Sequence, residues 1–445
     1  MTPTPPDPAA GTRGAAPYVF SGRRCLTVAD AGEFLAPGAP AELPDLAAAT
    51  AAALDDPLGT PPLGTLAAGA RRVALAVPDA SRDCPVAALL PPLLERLTQA
   101  GLGDEQITVV VGCGLHRTTT PAEKEALVGK GVAARLRVVD AQGLSETNVS
   151  LGRAAGGPIW IDETIAGADL VVAVGIVEPH LYAGFSGGVK AVAVGCAGRE
   201  TIAWTHHPVF IDRPDVRLCR LDGNPFQEAL REIAGATALR FAVNVVLASG
   251  GGVAGVAAGD PAAVQRRLAD EHGASWIRRC ERPFDLVLAG VPAPKDQSVY
   301  QASRALTYVG LSARPVVAGG GLIVCCADVP LGVGDGPGET NFGALLAATE
   351  RPLDLVQRGC VEPLGPGGQR AYMMAKLMTQ YRVGVVGAGD RALIERLGLR
   401  CFAGVDEAIA AARRVAGAGA RVLALADGLD TVVELAQARG EATPA

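Results

Sequence analysis

Four of the five histidines in this chain, His116, His180, His206 and His207, fall between residues 116 and 207. The same stretch holds Glu178-Pro179-His180-Leu181-Tyr182-Ala183-Gly184-Phe185-Ser186-Gly187-Gly188-Val189-Lys190. Histidine is the usual proton shuttle near neutral pH and the commonest metal ligand. Glycines let a backbone approach a ligand closely, and a lysine set between Val189 and Ala191 suits covalent attachment. Together these residues read as a site built around a bound cofactor. Gly184–Lys190 is not a nucleoside-triphosphate loop, because that motif needs Gly-Lys-Ser/Thr. Here Val189 precedes the lysine and Ala191 follows it.

Trp204-Thr205-His206-His207-Pro208 offers one metal ligand. Adjacent side chains on regular structure point in different directions, and the residues alone do not choose between the two histidines. Tyr300-Gln301-Ala302-Ser303-Arg304 sets Gln301 and Arg304 on one helical face, where an arginine fork fits a substrate carboxylate. Gly387-Ala388-Gly389-Asp390-Arg391 reads as a tight turn rather than a dinucleotide fingerprint. His272 reads as a solvated residue at a helix end.

These residues need rigid elements behind them. Apolar runs predict strands over Val73–Val77, Ile107–Val111, Leu136–Val139, Leu170–Val174 and Arg240–Leu247, with helices such as Val86–Ala100 and Pro121–Val128 between them. This alternation predicts an α/β fold with mostly parallel sheets. A second series follows at Asp285–Ala289, Leu322–Cys326, Arg382–Val386 and Arg421–Ala424, after a hinge near Ala274–Pro283. The expected division is a disordered tail over 1–16, an N-terminal α/β domain over 17–278 and a C-terminal α/β domain over 284–445. Asp79-Ala80-Ser81-Arg82, Gly112-Cys113-Gly114-Leu115-His116 and Glu178-Pro179-His180 then all follow strands directly, at the edge where open α/β sheets bind ligands.

Composition agrees. The 445 residues are 49% hydrophobic and only 4% aromatic, the texture of valine and leucine strands covered by alanine-rich helices. A net charge of −6 without a basic run removes the footprint of a nucleic-acid binder. No apolar stretch reaches the roughly 20 residues of a membrane span. The start, Met1-Thr2-Pro3-Thr4-Pro5-Pro6-Asp7-Pro8, lacks the pattern of a secretion signal. The ten cysteines form no Cys-x-x-Cys pair, so a zinc ribbon is excluded and a reduced, cytoplasmic setting is expected.

In this order the motifs resemble the nickel-pincer lactate racemase family. The match is carried by Asp79-x-Ser81-Arg82, by the run from Glu178 to Lys190, by a histidine sixteen residues later and by Tyr300-Gln301. The resemblance implies two α/β domains with the active site in the cleft between them. It also implies a nickel-pincer nucleotide, a pyridinium mononucleotide with two thiocarboxyl groups, tethered to Lys190. His206 would ligate nickel, which selects it over His207, and sulfur, carbon, sulfur and imidazole suit square-planar Ni(II). His116 and His180 would be the acid/base pair of a 2-hydroxy acid racemase or epimerase. Asp79, Arg82, Ser186, Gly187 and Gly188 would line the cofactor site, and Arg82, Tyr300, Gln301 and Arg304 the substrate site. Enzymes that synthesise the cofactor would be needed for loading.

This chain departs from the family at Ser81, at Val194-Gly195, at Arg304, where a lysine is usual, and near Gln369-Arg370, where a tryptophan is expected. These changes point to a 2-hydroxy acid larger or more polar than lactate. Two competing readings are a zinc hydrolase using His116, His180 and His206 as ligands and a non-catalytic binder of an organic acid or nucleotide.

Overall fold

The computed structural model describes residues 16–38, 40–248 and 251–437. The tail expected over 1–16 lies, up to residue 15, outside them. The chain forms two compact units. One is Ala39–Gly273; the other joins the chain up to Gly38 to the chain from Ala274 onward.

The first unit is built on six strands in the spatial order Val253–Gly259, Leu239–Leu247, Leu170–Ile176, Val73–Pro78, Ile107–Gly114 and Arg137–Gln142. All neighbours are parallel except the Val253–Gly259 edge, which pairs antiparallel with Leu239–Leu247. Every residue of Leu170–Ile176 is buried, as a parallel strand covered on both faces requires. Helix Val86–Gln99 packs Val86, Leu89, Leu90, Leu93, Leu94 and Leu97 into this core. Their spacing is a helical stripe, and each leucine so buried contributes about 1.5–3 kcal/mol. Chain order reverses between Val73–Pro78 and Leu170–Ile176. That topological switch point opens a crevice at the carboxyl ends of the strands.

The second unit carries an eight-stranded sheet. Its parallel centre is Arg382–Val386, Val317–Cys326, Phe284–Pro292 and Val422–Leu425. The expected boundaries differ from this division. Tyr18–Gly22, Arg24–Thr27 and Glu33–Leu35, assigned by sequence to the N-terminal domain, are strands of this second sheet. Ser21 pairs with Val291, and Glu33 with Leu423. An apolar pattern identifies a strand but not a partner some 270 residues away, so position along the chain gave the wrong assignment.

One other expectation changes, and two elements were not expected. The hairpin Val149–Ala154/Gly157–Ile161 and the antiparallel edge Val253–Gly259 carry no alternation strong enough to stand out in the sequence. His272 lies within helix Pro261–Trp276 and is half-buried; burial holds its pKa below the ordinary value. The turn expected at Gly387–Arg391 is present, with Asp390 capping the next helix by accepting from the Leu393 N–H at 2.9 Å. Among the described residues no helix is long and apolar enough to cross a membrane.

Candidate active site

Three strand ends deliver the polar side chains of the first unit. Asp79 and Arg82 follow Val73–Pro78, His116 follows Ile107–Gly114, and Glu178 and His180 follow Leu170–Ile176. His116 Nδ1 lies 2.6 Å from Asp79 Oδ2. Asp79 also accepts from the Ser81 backbone N–H at 3.1 Å and from its hydroxyl at 2.5 Å. The Asp79 side chain is only 10% exposed, whereas that of His116 is 39% exposed. Burial works to raise the Asp79 pKa. The hydrogen bond and charge of His116, with Arg82 and the Ser81 hydroxyl, outweigh it and hold the carboxyl well below its ordinary range. Arg82 reaches across to Glu178 at 3.6 Å and ties two strand ends together. Behind His116, Arg117 pairs with Glu123, which caps helix Pro121–Val128 through Thr120.

His180 sits in the small hairpin Pro179–His180/Gly184–Phe185. Its Nδ1 accepts from the Tyr182 N–H at 3.3 Å and the Ala183 N–H at 3.2 Å. His116 Nδ1 instead faces a carboxylate. In neutral rings, His116 therefore carries its proton on Nδ1 and its lone pair on Nε2, and His180 the reverse. The two imidazoles thus present opposite polarity at Nε2.

His206 caps the end of helix Arg199–Thr205. Its Nδ1 is 3.0 Å from both the Ile202 carbonyl oxygen and Thr205 Oγ1. A ring donating from Nδ1 to a carbonyl presents its Nε2 lone pair, as a metal ligand must. His207 differs: its Nδ1 accepts from the Val209 N–H at 3.2 Å, a local turn contact. Tyr182 packs edge-on against both His180 and His206, with ring centroids 5.7 and 5.6 Å away, and so brings the two together.

The lysine loop is held from below by buried amides that the sequence reading did not single out. Gly188 N–H donates to Asn244 Oδ1 at 2.7 Å. Gln265 Nε2 donates to the Phe185 and Ser186 carbonyls, both at 3.0 Å, and Gln227 donates to Gln265 at 2.8 Å. Asn224 Nδ2 donates to the Tyr182 carbonyl at 2.8 Å. The available signal was an amide inside an apolar strand or helix, since buried polar side chains are rare unless bonded. Ser186 does not cap a helix. Its hydroxyl accepts from the Glu178 N–H at 3.1 Å and donates to the Ile176 carbonyl at 2.8 Å, closing the loop on its own strand. Gly187 has φ +78°, and a Cβ there would stand 2.7 Å from Val177 Cγ2 and 2.8 Å from Asn244 Oδ1. Lys190 then opens a π-helical turn, Ala191–Gly195, whose backbone lies against Gly112 on the strand leading to His116. Such turns are frequent at functional sites.

Among the described residues, no three of His, Cys, Asp and Glu stand close enough to hold a metal ion. The three-histidine zinc set is therefore not assembled. A single protein imidazole at His206, with the other donors supplied by a cofactor on Lys190, fits the residues present.

The remaining expected residues form a group in the second unit. Helix Val299–Gly310 starts at Ser298, whose hydroxyl accepts from the Gln301 N–H at 3.3 Å. Tyr300 and Arg304 are buried. Tyr300 meets Phe342 edge-on with centroids 5.4 Å apart, and Arg304 donates to the Tyr308 hydroxyl at 3.2 Å.

Fold and site define a two-unit α/β enzyme with two oppositely polarised imidazoles at a sheet switch point. Residues 25–218 match the lactate racemase N-terminal domain, and residues 282–433 the lactate racemase C-terminal domain. The chain belongs to the lactate racemase family and is an isomerase of the racemase type. It is 29% identical to a lactate racemase of Lactiplantibacillus plantarum, over 86% of this chain and 89% of that protein. It is 26% identical to that of Thermoanaerobacterium thermosaccharolyticum, again over 86% and 89%. Its fold matches the lactate racemase apoprotein structure from T. thermosaccharolyticum with TM-score 0.86, at 23% identity over 94% of this chain and all of that one. A Thermotoga maritima protein shares the fold at TM-score 0.66 and 15% identity, over 90% of this chain and all of that one.

Proposed function

We propose that this chain interconverts the configurations at C2 of a 2-hydroxy acid larger or more polar than lactate. It would do so with a nickel-pincer pyridinium nucleotide tethered to Lys190 and ligated through His206. The chemistry such a group supplies is reversible acceptance of hydride at an electron-poor ring. The protein contributes proton management. Direct loss of the C2 proton beside an ionised carboxylate is costly, so the hydroxyl proton has to leave as hydride leaves C2. His116, with Asp79 on its Nδ1, offers Nε2 as the base. His180, held through Nδ1 by backbone N–H groups, would be the second acid/base group, so that one histidine per enantiomer removes and returns the hydroxyl proton.

Arg82 and Glu178 fix the two strand ends, and the amides of Asn244 and Gln265 hold the loop that presents Lys190. The observation that carries the reading is the opposed polarity of His116 and His180 beside a lysine loop of this build.

The test is intact mass and nickel content of protein made together with the cofactor-synthesis enzymes, beside Lys190→Ala. The expected result is a Lys190 adduct with stoichiometric nickel, absent in the variant. An unmodified chain from cells that do load a known family member overturns the cofactor assignment. A substrate screen in which lactate outpaces every larger 2-hydroxy acid overturns the substrate preference.

A further inference from the structure

We propose that Phe226, set in place by Asn224, is a positioning residue for the nickel ligand: it holds the plane of the His206 imidazole. The inference rests on the reading of His206 as that ligand and adds to it residues that no motif marks.

A histidine serves a square-planar metal only when its Nε2 lone pair points along the one open direction. Rotation of the ring about its Cβ–Cγ bond moves that lone pair, and this torsion is intrinsically broad for histidine. At His206 the contacts of Nδ1 do not by themselves stop the rotation. Nδ1 lies 3.0 Å from two acceptors, the Ile202 carbonyl oxygen and Thr205 Oγ1. Two acceptors at equal distance let the ring swing from one towards the other.

Two aromatic rings stop it. Phe226 and Tyr182 stand nearly perpendicular to the imidazole, at interplanar angles of 89° and 87° and centroid distances of 5.1 and 5.6 Å. They also meet each other at 5.7 Å, so the three centroids close a triangle. Phe226 is fully buried and Tyr182 nearly so. Edge-to-face contact is a preferred geometry for aromatic pairs, and a turned imidazole would lose it against both neighbours at once.

Asn224 joins the two rings through their backbones, and its side chain is fully buried. Its Nδ2 donates to the Tyr182 carbonyl at 2.8 Å and to the Arg220 carbonyl at 3.0 Å. Its Oδ1 accepts from the Phe226 N–H at 3.0 Å and the Gln227 N–H at 3.3 Å, as the N-cap of helix Pro225–Gly235. Pro225, at the start of that helix, fixes its entry. One amide therefore sets the main chain beneath both rings.

A buried phenyl ring also packs, and the experiment separates packing from positioning. It uses the full chain, unloaded and loaded, with Phe226→Leu beside Phe241→Leu. Phe241 is a fully buried phenylalanine of the same unit, in a core cluster that includes neither Tyr182 nor Phe226. Both changes remove a buried ring, so both lower the melting temperature. In unloaded protein, nitrogen-15 NMR of labelled histidine at about pH 8, where an ordinary imidazole is neutral, reads the tautomer of each ring. His206→Gln identifies the signal. Wild type and Phe241→Leu should show His206 in one tautomer, with its proton on Nδ1. Phe226→Leu should show averaged Nδ1 and Nε2 shifts. In loaded protein, Phe226→Leu should lose nickel to a chelator about tenfold faster than wild type, the scale on which outer-shell partners act. Phe241→Leu should keep its nickel as wild type does, and intact mass should show the Lys190 adduct in all three.

A single His206 tautomer or wild-type nickel retention in Phe226→Leu overturns the proposal. So does an equal change in Phe241→Leu, which would make Phe226 ordinary core. A wild type that takes up no nickel in cells that load a known family member sinks the cofactor reading, and this proposal with it. A loaded wild type whose nickel ignores Phe226→Leu sinks the proposal alone. If Phe226→Leu does not fold, Phe226→Met, which refills the volume with a flexible chain, takes its place.

Discussion

The pair His116–Asp79 concentrates most of what a single residue can do here. In the proposed mechanism Asp79 would be a positioning residue, holding the His116 ring through Nδ1 and leaving Nε2 as the base. Asparagine would keep the shape but can donate from its amide to Nδ1, which moves the ring proton to Nε2 and removes the base. Asp79→Asn is therefore expected to lower kcat by about 100-fold or more with folding retained, measured on loaded enzyme by chiral separation of the product. The same carboxylate gives a signed pH effect. Its folded pKa lies below the unfolded value of about 3.9. The stability it confers is complete well above that value and is lost as pH falls through the unfolded and then the folded pKa. Calorimetric melting from pH 5 to pH 3 should show a gap between wild type and Asp79→Asn that narrows below about pH 4. A gap that widens on acidification would contradict the assignment.

At the scale of elements, the lysine loop is the part whose shape the chain most constrains. Gly187 has positive φ and is closed in by Val177 and by Asn244, whose Oδ1 also accepts the Gly188 N–H. A methyl group there meets both backbone strain and a filled site, so Gly187→Ala should cost about 3 kcal/mol of stability and reduce cofactor loading on Lys190. Urea unfolding and intact mass measure the two effects separately, and wild-type stability in the variant would mean that the loop yields easily. The motif was legible in the sequence because its glycines and lysine are contiguous. Its support was not, because Asn244 and Gln265 sit in an apolar strand and a helix far along the chain. The central strands were legible for the opposite reason. Leu170–Ile176 and Arg382–Val386 are short apolar runs buried by helices, and burial on both faces needs no partner to be recognised. The antiparallel edge and the hairpin, which lack that continuous signal, were found only in three dimensions.

At the scale of the whole chain, the two units are not two consecutive segments, and this has a consequence for dissection. All the histidines expected to act, with Lys190, lie inside Ala39–Gly273, whose sheet is complete without the rest of the chain. The second unit is interrupted. Its strands Phe284–Pro292 and Val422–Leu425 take neighbours from Tyr18–Gly22 and Glu33–Leu35. Residues 284–445 alone would expose these two strand edges, the edge of Val432–Leu435 that Ile277–Cys280 covers, and the apolar surface around Val19 and Phe34. The segment 39–273 is therefore expected to unfold cooperatively when expressed alone, whereas 284–445 should aggregate or stay partly unfolded. Adding residues 16–38 to the second piece as a separate peptide should restore a cooperative transition, because mass action favours the state that binds the missing strands. Circular dichroism melting of the three preparations checks this. Cooperative melting of 284–445 by itself would show that the N-terminal strands decorate this sheet rather than complete it, and would restore a domain boundary near residue 278.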